Sequence, residues 1–280
     1  MPLLPIPDPY DFSLSTERFR RFGSDLANLW QEGGLHRVVG GREVRIEPVP
    51  GGVKVEPLDE HIAGVVSKLL GLEFDLASFE SFALEHDGVL AALALQSRGF
   101  RPPLAPDPFE SLVTSITAQQ VSLASAFAIR SRMIERLGEC GVHAYAFPTA
   151  DRLIGAGEEE LVAVGFSRRK AEYVIGLARA EIDFDGLSRL GDDEVKERLI
   201  AMRGVGEWTA DWFLARHLAR PRAWPAGDLG LRKAVSAVDG DGRLLSIEEV
   251  RVIGTSFSPF QNLTAHYLLA GLMAGVDAPA

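Results

Sequence analysis

An α+β fold is predicted for this 280-residue chain: a small N-terminal antiparallel sheet with a helix on one face, followed by a longer, mostly α-helical region. Three features predict it. Between residues 36 and 57, β-branched runs alternate with paired glycines. From His61 onward, strand signals nearly vanish. The rest of the chain is a succession of short apolar-periodic segments, many opened by a capping residue.

In order along the chain, residues 15–29 carry Phe19, Phe22, Leu26 and Leu29 at helical spacing, which predicts the covering helix. Val38-Val39, Val44-Arg45-Ile46 and Val53-Lys54-Val55 are the strands, with Gly40-Gly41 and Gly51-Gly52 as hairpin turns. Asp107-Pro108 supplies an N-cap and a proline at the first helical position, followed by Phe109, Leu112, Val113 and Ile116 on one face. Residues 122–137 form a second amphipathic helix closed by Gly138. Further helices are expected over 158–164, 169–181, 192–201, 208–219, 229–238 and 261–271. No period of 20–50 residues recurs, which excludes a solenoid.

Composition narrows the function classes. Hydrophobic residues make up 46% and charged residues 24%, an ordinary globular balance. No run approaches the roughly 18 apolar residues a membrane helix needs, and the proline-broken start MPLLPIPDPYDF has no basic n-region. A cytoplasmic protein, free or associated with the nucleoid, is therefore expected. The single Cys140 excludes an internal disulfide, a zinc knuckle and a four-cysteine iron–sulfur cluster. A net charge of −10 argues against general nucleic-acid binding. The charge is uneven, however. Residues 1–107 hold ten basic against sixteen acidic side chains, whereas residues 200–235 hold six against three. Because salt screens charges beyond about 8–10 Å, a local basic face can still hold a phosphate backbone.

The segment 193–228, DEVKERLIAMRGVGEWTADWFLARHLARPRAWPAGD, is the most informative. One helix runs into Met202-Arg203-Gly204-Val205-Gly206 and another starts at once with Glu207-Trp208. Two glycines one residue apart permit a tight turn and leave backbone N–H groups uncovered, an anion site at a helix N-terminus. They also fit a turn in which glycine serves geometry alone. Trp208 and Trp212, four apart, share a helix face beside Asp211. They form either core packing or a slot in which a flat ring stacks, an interaction worth roughly 1–3 kcal/mol per base. Asp228 before Leu229 is an N-cap, and a carboxylate fixed there also suits the stabilisation of positive charge developing on a sugar.

The hairpin, the Trp208 helix and the Asp228 loop resemble the helix-hairpin-helix DNA glycosylase superfamily, and within it the bacterial 3-methyladenine DNA glycosylase II (inducible alkylbase glycosylase) family. Residues 109–138, FESLVTSITAQQVSLASAFAIRSRMIERLG, resemble the helix–loop–helix around that family's duplex wedge, and residues 165–180, GFSRRKAEYVIGLARA, its next signature. The resemblance implies a TBP-like α+β domain over 1–100, whose later part joins the helical region, and helix-hairpin-helix glycosylase domains over 101–280.

By the same resemblance Asp228 falls on the catalytic carboxylate, and Trp208, Trp212 and Leu269 on the base pocket. Leu269 stands where many relatives have another tryptophan. Apart from the resemblance, the backbone amides of Gly204 and Gly206, with Arg203 and Ser122, are expected to hold phosphates of the damaged strand, and Arg168-Arg169-Lys170 is a second candidate contact, although such runs are more often solvated surface. By the resemblance, Gln120 falls on the wedge that fills the hole left by an everted nucleotide, the alternative for Gln119-Gln120 being a solvated loop. The carbonyls of Ile200, Met202 and Val205 match a seat for a structural monovalent cation. No cofactor and no catalytic metal are implied. The expected partner is double-stranded DNA containing a damaged base, and the expected state a monomer.

Two departures refine the resemblance. Strand-cleaving relatives place a lysine two residues after the hairpin's second glycine, where Trp208 stands here, so no Schiff base forms and water is the nucleophile. The absent cysteine cluster argues against the adenine-mismatch and thymine-glycol branches. In FSPFQNLTAHYLLAG, residues 257–271, Phe257 replaces a family tryptophan and Gln261 an arginine, so preference among damaged purines is not fixed. The expectation is a monofunctional glycosylase for alkylated purines. Its rivals are an oxidised-purine glycosylase and a non-catalytic damage-binding protein. The scattered histidines and Cys140 receive no role.

Overall fold

The computed structural model describes residues 2–86 and 88–274; Met1, Asp87 and residues 275–280, which the two predicted regions also span, lie outside the described residues. Five strands, β1 (Leu3–Pro5), β2 (Leu29–Gln31), β3 (Gly34–Val39), β4 (Arg42–Val49) and β5 (Gly52–Glu56), make one antiparallel sheet in the order β1-β5-β4-β3-β2. β3 and β4 turn through Gly40-Gly41, with φ of 55° and 74° and Val39 paired to Arg42. That is the two-residue turn whose twist matches the strands. The next turn lies one residue earlier than the sequence suggests. Val49 pairs with Gly52, so Pro50-Gly51 makes the turn and Gly52 belongs to β5. A Cβ on Gly52 would strike the Leu4 carbonyl, so glycine here admits the edge strand β1.

One sheet face buries Leu35, Val44, Ile46, Val53 and Val55 under α1 (Phe12–Thr16), α2 (Arg18–Arg21) and α3 (Glu60–Leu69). The single helix expected over 15–29 is not formed. Helix ends at Arg21, Gly23 has φ 116°, and the Asp25 carboxylate accepts the N–H groups of Ala27 and Asn28. A side chain that satisfies the local backbone in this way competes with helix. The apolar spacing across the break serves two short helices and β2 instead.

Among the described residues, further α-helices follow: α4 (Leu76–Glu85), α5 (Val89–Gln96), α6 (Pro108–Ala118), α7 (Leu123–Leu137), α8 (Ala150–Ala163), α9 (Arg168–Arg179), α10 (Phe184–Ser188), α11 (Asp192–Ile200), α12 (Glu207–Arg216), α13 (Leu229–Asp239), α14 (Ile247–Gly254) and α15 (Gln261–Ala274). Asp107 caps α6, Ser122 caps α7 and Gly138 ends α7, as the sequence indicates. The segment expected over 158–164 is only the second half of α8, which kinks at Gly157 with φ 77°.

The helices divide between two cores. Helices α6–α12 share one, centred on Ile116, Ile134, Val174 and Phe213. In the other, α4 and α5 close on α13–α15 through Phe79, Leu93, Leu231 and Tyr267, so residues before 105 pack with residues after 225. A buried polar chain ties the sheet to the first core. Arg37 on β3 meets Glu110 of α6 at 2.6 Å, Glu110 meets Arg130 of α7 at 2.5 Å, and Arg130 pairs with Asp25. Each buried charge thus has an opposite partner, the condition under which burying it is tolerable.

Candidate active site

The two helical cores meet at the loop leading into α13. Its turn is set by Asp228 N–H donating to the Pro225 carbonyl at 2.8 Å, and α13 then begins at Asp228. One carboxylate oxygen, Oδ1, accepts the Leu231 N–H at 3.0 Å as an ordinary cap. The other, Oδ2, accepts both indole N–H groups, from Trp208 at 2.8 Å and Trp212 at 3.1 Å. The four-residue spacing on α12 is what brings both indoles to one oxygen. Three fixed donors orient the half-buried carboxylate. With about four lone-pair sites on the two oxygens, an acceptor direction on Oδ1 remains free.

Leu269 of α15 packs against both cores, and a Cβ on Gly230 would lie 3.0 Å from Asp228 Oδ1 and 3.1 Å from Leu269. Asp228, Trp208, Trp212 and Leu269, predicted from distant stretches of sequence, are thus brought together. Asp211 is not part of the group. Its buried carboxylate pairs with Lys196 at 2.8 Å, and burial pushes it above the usual range against the opposing lysine.

Trp212 differs from the open aromatic wall the sequence suggests. It is 4% exposed, and the Arg216 guanidinium lies 3.9 Å from its ring centroid, a cation–π contact. His266 of α15 approaches the same ring at 5.6 Å. The His266 ring is buried, and its Nε2 has no hydrogen-bond partner among the described residues. Burial, then Arg216 and Arg18, hold this imidazole well below its ordinary range, so it is neutral. Trp208 is half-buried and keeps more of its face accessible. Arg216 follows Trp212 by four residues on α12, a spacing that puts it on the same helix face, whereas nothing in sequence spacing singles out Arg18 or His266, which converge from α2 and α15 only in the fold.

The hairpin lies between α11 and α12. Gly204 has φ 92°, and a Cβ there would collide with the Tyr173 ring. Gly206 has φ −101° and open space around its Cβ position, so of the two glycines only the first is required by the turn. Gly206 is the N-cap of α12, and no side chain caps the first-turn amides. Uncapped amides at a helix N-terminus are anion donors. Arg203 is largely exposed but pairs with Glu172 at 2.5 Å. The Met202 carbonyl accepts the Val205 N–H at 3.1 Å, closing the turn beside Ile200.

Gln120 is exposed at the tip of the α6–α7 loop, in the left-handed region with φ 54°. Its neighbour Gln119 donates to the Gly204 carbonyl at 2.9 Å and to Thr209 at 3.1 Å. This loop is therefore fastened to the hairpin rather than freely solvated. Val121 and Leu123 beside Gln120 are also exposed, giving the tip an apolar flank. The Ser122 hydroxyl is engaged in capping α7, accepting Ser125 N–H at 3.2 Å. Of the basic run, Arg168 and Arg169 are exposed, while Lys170 donates to the Thr117 carbonyl at 2.8 Å.

Known proteins similar to this chain are DNA glycosylases. The DNA-3-methyladenine glycosylase of Bacillus subtilis (strain 168) is 28% identical over 217 residues, 75% of this chain and 71% of that protein. The solved 3-methyladenine DNA-glycosylase from Archaeoglobus fulgidus matches with a TM-score of 0.87 at 27% identity, covering 97% of this chain and 98% of that one. The Clostridium acetobutylicum 8-oxoguanine glycosylase/lyase bound to double-stranded DNA shares the fold, with a TM-score of 0.78 at 21% identity over 95% and 93% of the two chains. The model of the HhH-GPD superfamily base excision DNA repair proteins matches residues 113–251, from within α6 to within α14 and so across the hairpin and Asp228. This chain belongs to the HhH-GPD superfamily of base excision DNA repair proteins.

Proposed function

We propose that the chain is a monofunctional DNA glycosylase that everts an alkylated purine, of the 3-methyladenine or 7-methylguanine type, and hydrolyses its N-glycosidic bond to leave an abasic site. The observation that carries the reading is the Asp228 carboxylate, fixed by two indole N–H groups and one backbone N–H where the two helical cores meet. A preorganised anion at that point stabilises the positive charge that develops on the sugar as the base departs. Asp228 is also the group that orients the attacking water. An alkylated purine carries its own leaving-group activation, so little acid catalysis is needed.

The uncapped amides of α12 at Gly206, with Gly204 and Arg203, hold a phosphate of the damaged strand. Gln120, with Val121 and Leu123 at its flanks, enters the duplex and offsets part of the unstacking cost of a few kcal/mol. Trp208 and Leu269 line the space for the everted base, with Trp212 and its Arg216 cover behind them. Ser122 contributes through α7's N-terminus rather than a free hydroxyl. The Ile200, Met202 and Val205 carbonyls are a candidate seat for a monovalent cation. Trp208 occupies the position of the lyase lysine, so the reaction ends at base release.

The test compares duplexes containing methylated purines, 8-oxoguanine or no lesion. Wild-type protein is expected to release methylpurines, and Asp228→Asn to bind damaged DNA while release falls at least about 100-fold. Asn keeps one acceptor oxygen, enough to cap α13 or to accept the indole N–H groups but not both, so thermal melting of the variant is followed alongside release. Unchanged turnover in Asp228→Asn removes Asp228 from its role. Borohydride trapping of a protein–DNA adduct overturns the monofunctional reading, and binding with no release of any base overturns the enzyme reading.

A further inference from the structure

Outside the Asp228 site, three ligand-type side chains from three separate segments converge. His36 is on β3, Glu43 is on β4, and His143 is in the connection between α7 and α8. One ligand atom from each lies within 4.8 Å of the others; among the described residues this is the one such group of histidine, cysteine and acidic side chains. His36 Nδ1 and Glu43 Oε1 are 2.8 Å apart, and the two imidazole rings meet edge-on at 5.0 Å.

We propose that His36, Glu43 and His143 form a binding site for a divalent transition-metal ion, zinc being the best match, which clamps the N-terminal sheet to the α7–α8 connection. Two imidazoles and a carboxylate are a nitrogen/oxygen ligand set that zinc takes readily, with solvent in the fourth position. Bonds of about 2.0–2.1 Å in tetrahedral array put neighbouring ligand atoms roughly 3.3 Å apart. The His36–Glu43 pair, at 2.8 Å, is therefore a little too close, while the third ligand atom lies within 4.8 Å of both. The buried pair needs to part only slightly. His143 is exposed and free to rotate its ring inward.

The surroundings are arranged as a metal site's outer shell is. Glu43 uses Oε2 to accept the backbone N–H groups of His143 at 2.7 Å and Ala144 at 3.1 Å, which leaves Oε1 facing the imidazoles. Outer hydrogen bonds of this kind orient a ligand and strengthen its hold. A Cβ on Gly141 would come within 2.6 Å of Oε2, so glycine in the connection permits this close seat. A His36–Glu43 hydrogen bond alone explains two of the residues. It does not explain why the third ring stands against the first while its own amide binds the same carboxylate. On metal entry the proton between His36 Nδ1 and Oε1 leaves to solvent, and the nitrogen lone pair and the carboxylate oxygen bind the ion in its place.

The test uses tag-free, chelator-stripped full-length protein, titrated with zinc chloride by calorimetry and followed by thermal melting; cobalt(II) serves as a spectroscopic probe. The expected result is 1:1 binding. At about a hundredfold excess over Kd, the melting temperature should rise by roughly 5 °C or more, and cobalt should give the visible band of a four-coordinate site. His143→Ala, at an exposed position, and Glu43→Gln should each abolish the band and the melting shift, while Cys140→Ser should retain both. Absence of binding by wild type overturns the proposal. So does a shift that survives in His143→Ala, or one lost only in Cys140→Ser.

Discussion

At the scale of single residues, the Trp212 side of the Asp228 site carries cationic neighbours, one four residues along α12 and one from α2. Arg216 covers Trp212 at 3.9 Å, and burial, then Arg18, hold its guanidinium well below its ordinary range, with Asp228 opposing. A cationic alkylated purine entering this space meets an unfavourable neighbour. Like charges repel, so the guanidinium opposes a cationic base while Asp228 attracts it. Replacing Arg216 with Gln should therefore raise release of 7-methylguanine relative to a neutral purine such as hypoxanthine, by several-fold in the ratio of kcat/KM. An unchanged ratio, measured on matched duplexes, shows that the guanidinium swings clear of the base. The residues around Asp228 were legible because local chemistry marks them: an N-cap position, two tryptophans one turn apart, a loop of small residues. Arg18 and His266 were not, since neither belongs to a local pattern and each gains meaning only from the packing of α2 and α15 against α12.

At the scale of elements, the hairpin gives its two glycines different tasks, and substitution should separate them. Gly204 sits at φ 92° against Tyr173, so Gly204→Ala strains the backbone and displaces the ring. A loss of about 1–3 kcal/mol in stability is expected, read as a lower urea midpoint. Gly206→Ala meets ordinary φ and empty space, so the fold should be nearly unaffected. Its methyl group stands at the mouth of the α12 amides, where a phosphate would bind, so affinity for duplex DNA should drop several-fold. Equal stability losses in the two variants would contradict this division. Elements with strong punctuation were legible: the Asp107-Pro108 start of α6, the Ser122 and Gly138 ends of α7, the Gly40-Gly41 turn. The predicted helix over 15–29 failed because apolar spacing crosses Gly23 and the Asp25 turn without a break in its period. β1 and β2, three residues each, are too short to show any period at all.

At the scale of the whole molecule, what escapes the sequence is which distant segments share a core. α4 and α5 close on α13–α15, and the Arg37–Glu110–Arg130–Asp25 chain joins sheet to helices, because tertiary packing selects these pairs. That architecture fixes how stability responds to acid. His217 on the C-terminal end of α12 is buried, with Nδ1 2.8 Å from the Ala105 carbonyl; burial, then Lys68, push it down to about 4 from an ordinary 6.5. His266 is depressed in the same direction. The Asp25 carboxyl is pushed up by burial but held below its ordinary value overall by Arg130 and its hydrogen bonds. Each of these three groups binds a proton more readily in the unfolded chain than in the folded one, so together they make stability decline with acid, while the raised Asp211 carboxyl works in the opposite sense. For His217 the contribution is full above pH 6.5 and is lost as the pH falls to about 4, amounting to about 3 kcal/mol. Asp25 extends the decline to lower pH. Urea unfolding followed between pH 7.5 and 4 should show a steadily falling midpoint. His217→Gln, whose amide can still donate to Ala105, should flatten the slope between pH 6.5 and 4. A midpoint that stays level or rises toward pH 4 in the wild type would mean that these buried groups are protonated in the folded state, and that the core around α12 opens to water far more readily than its packing implies.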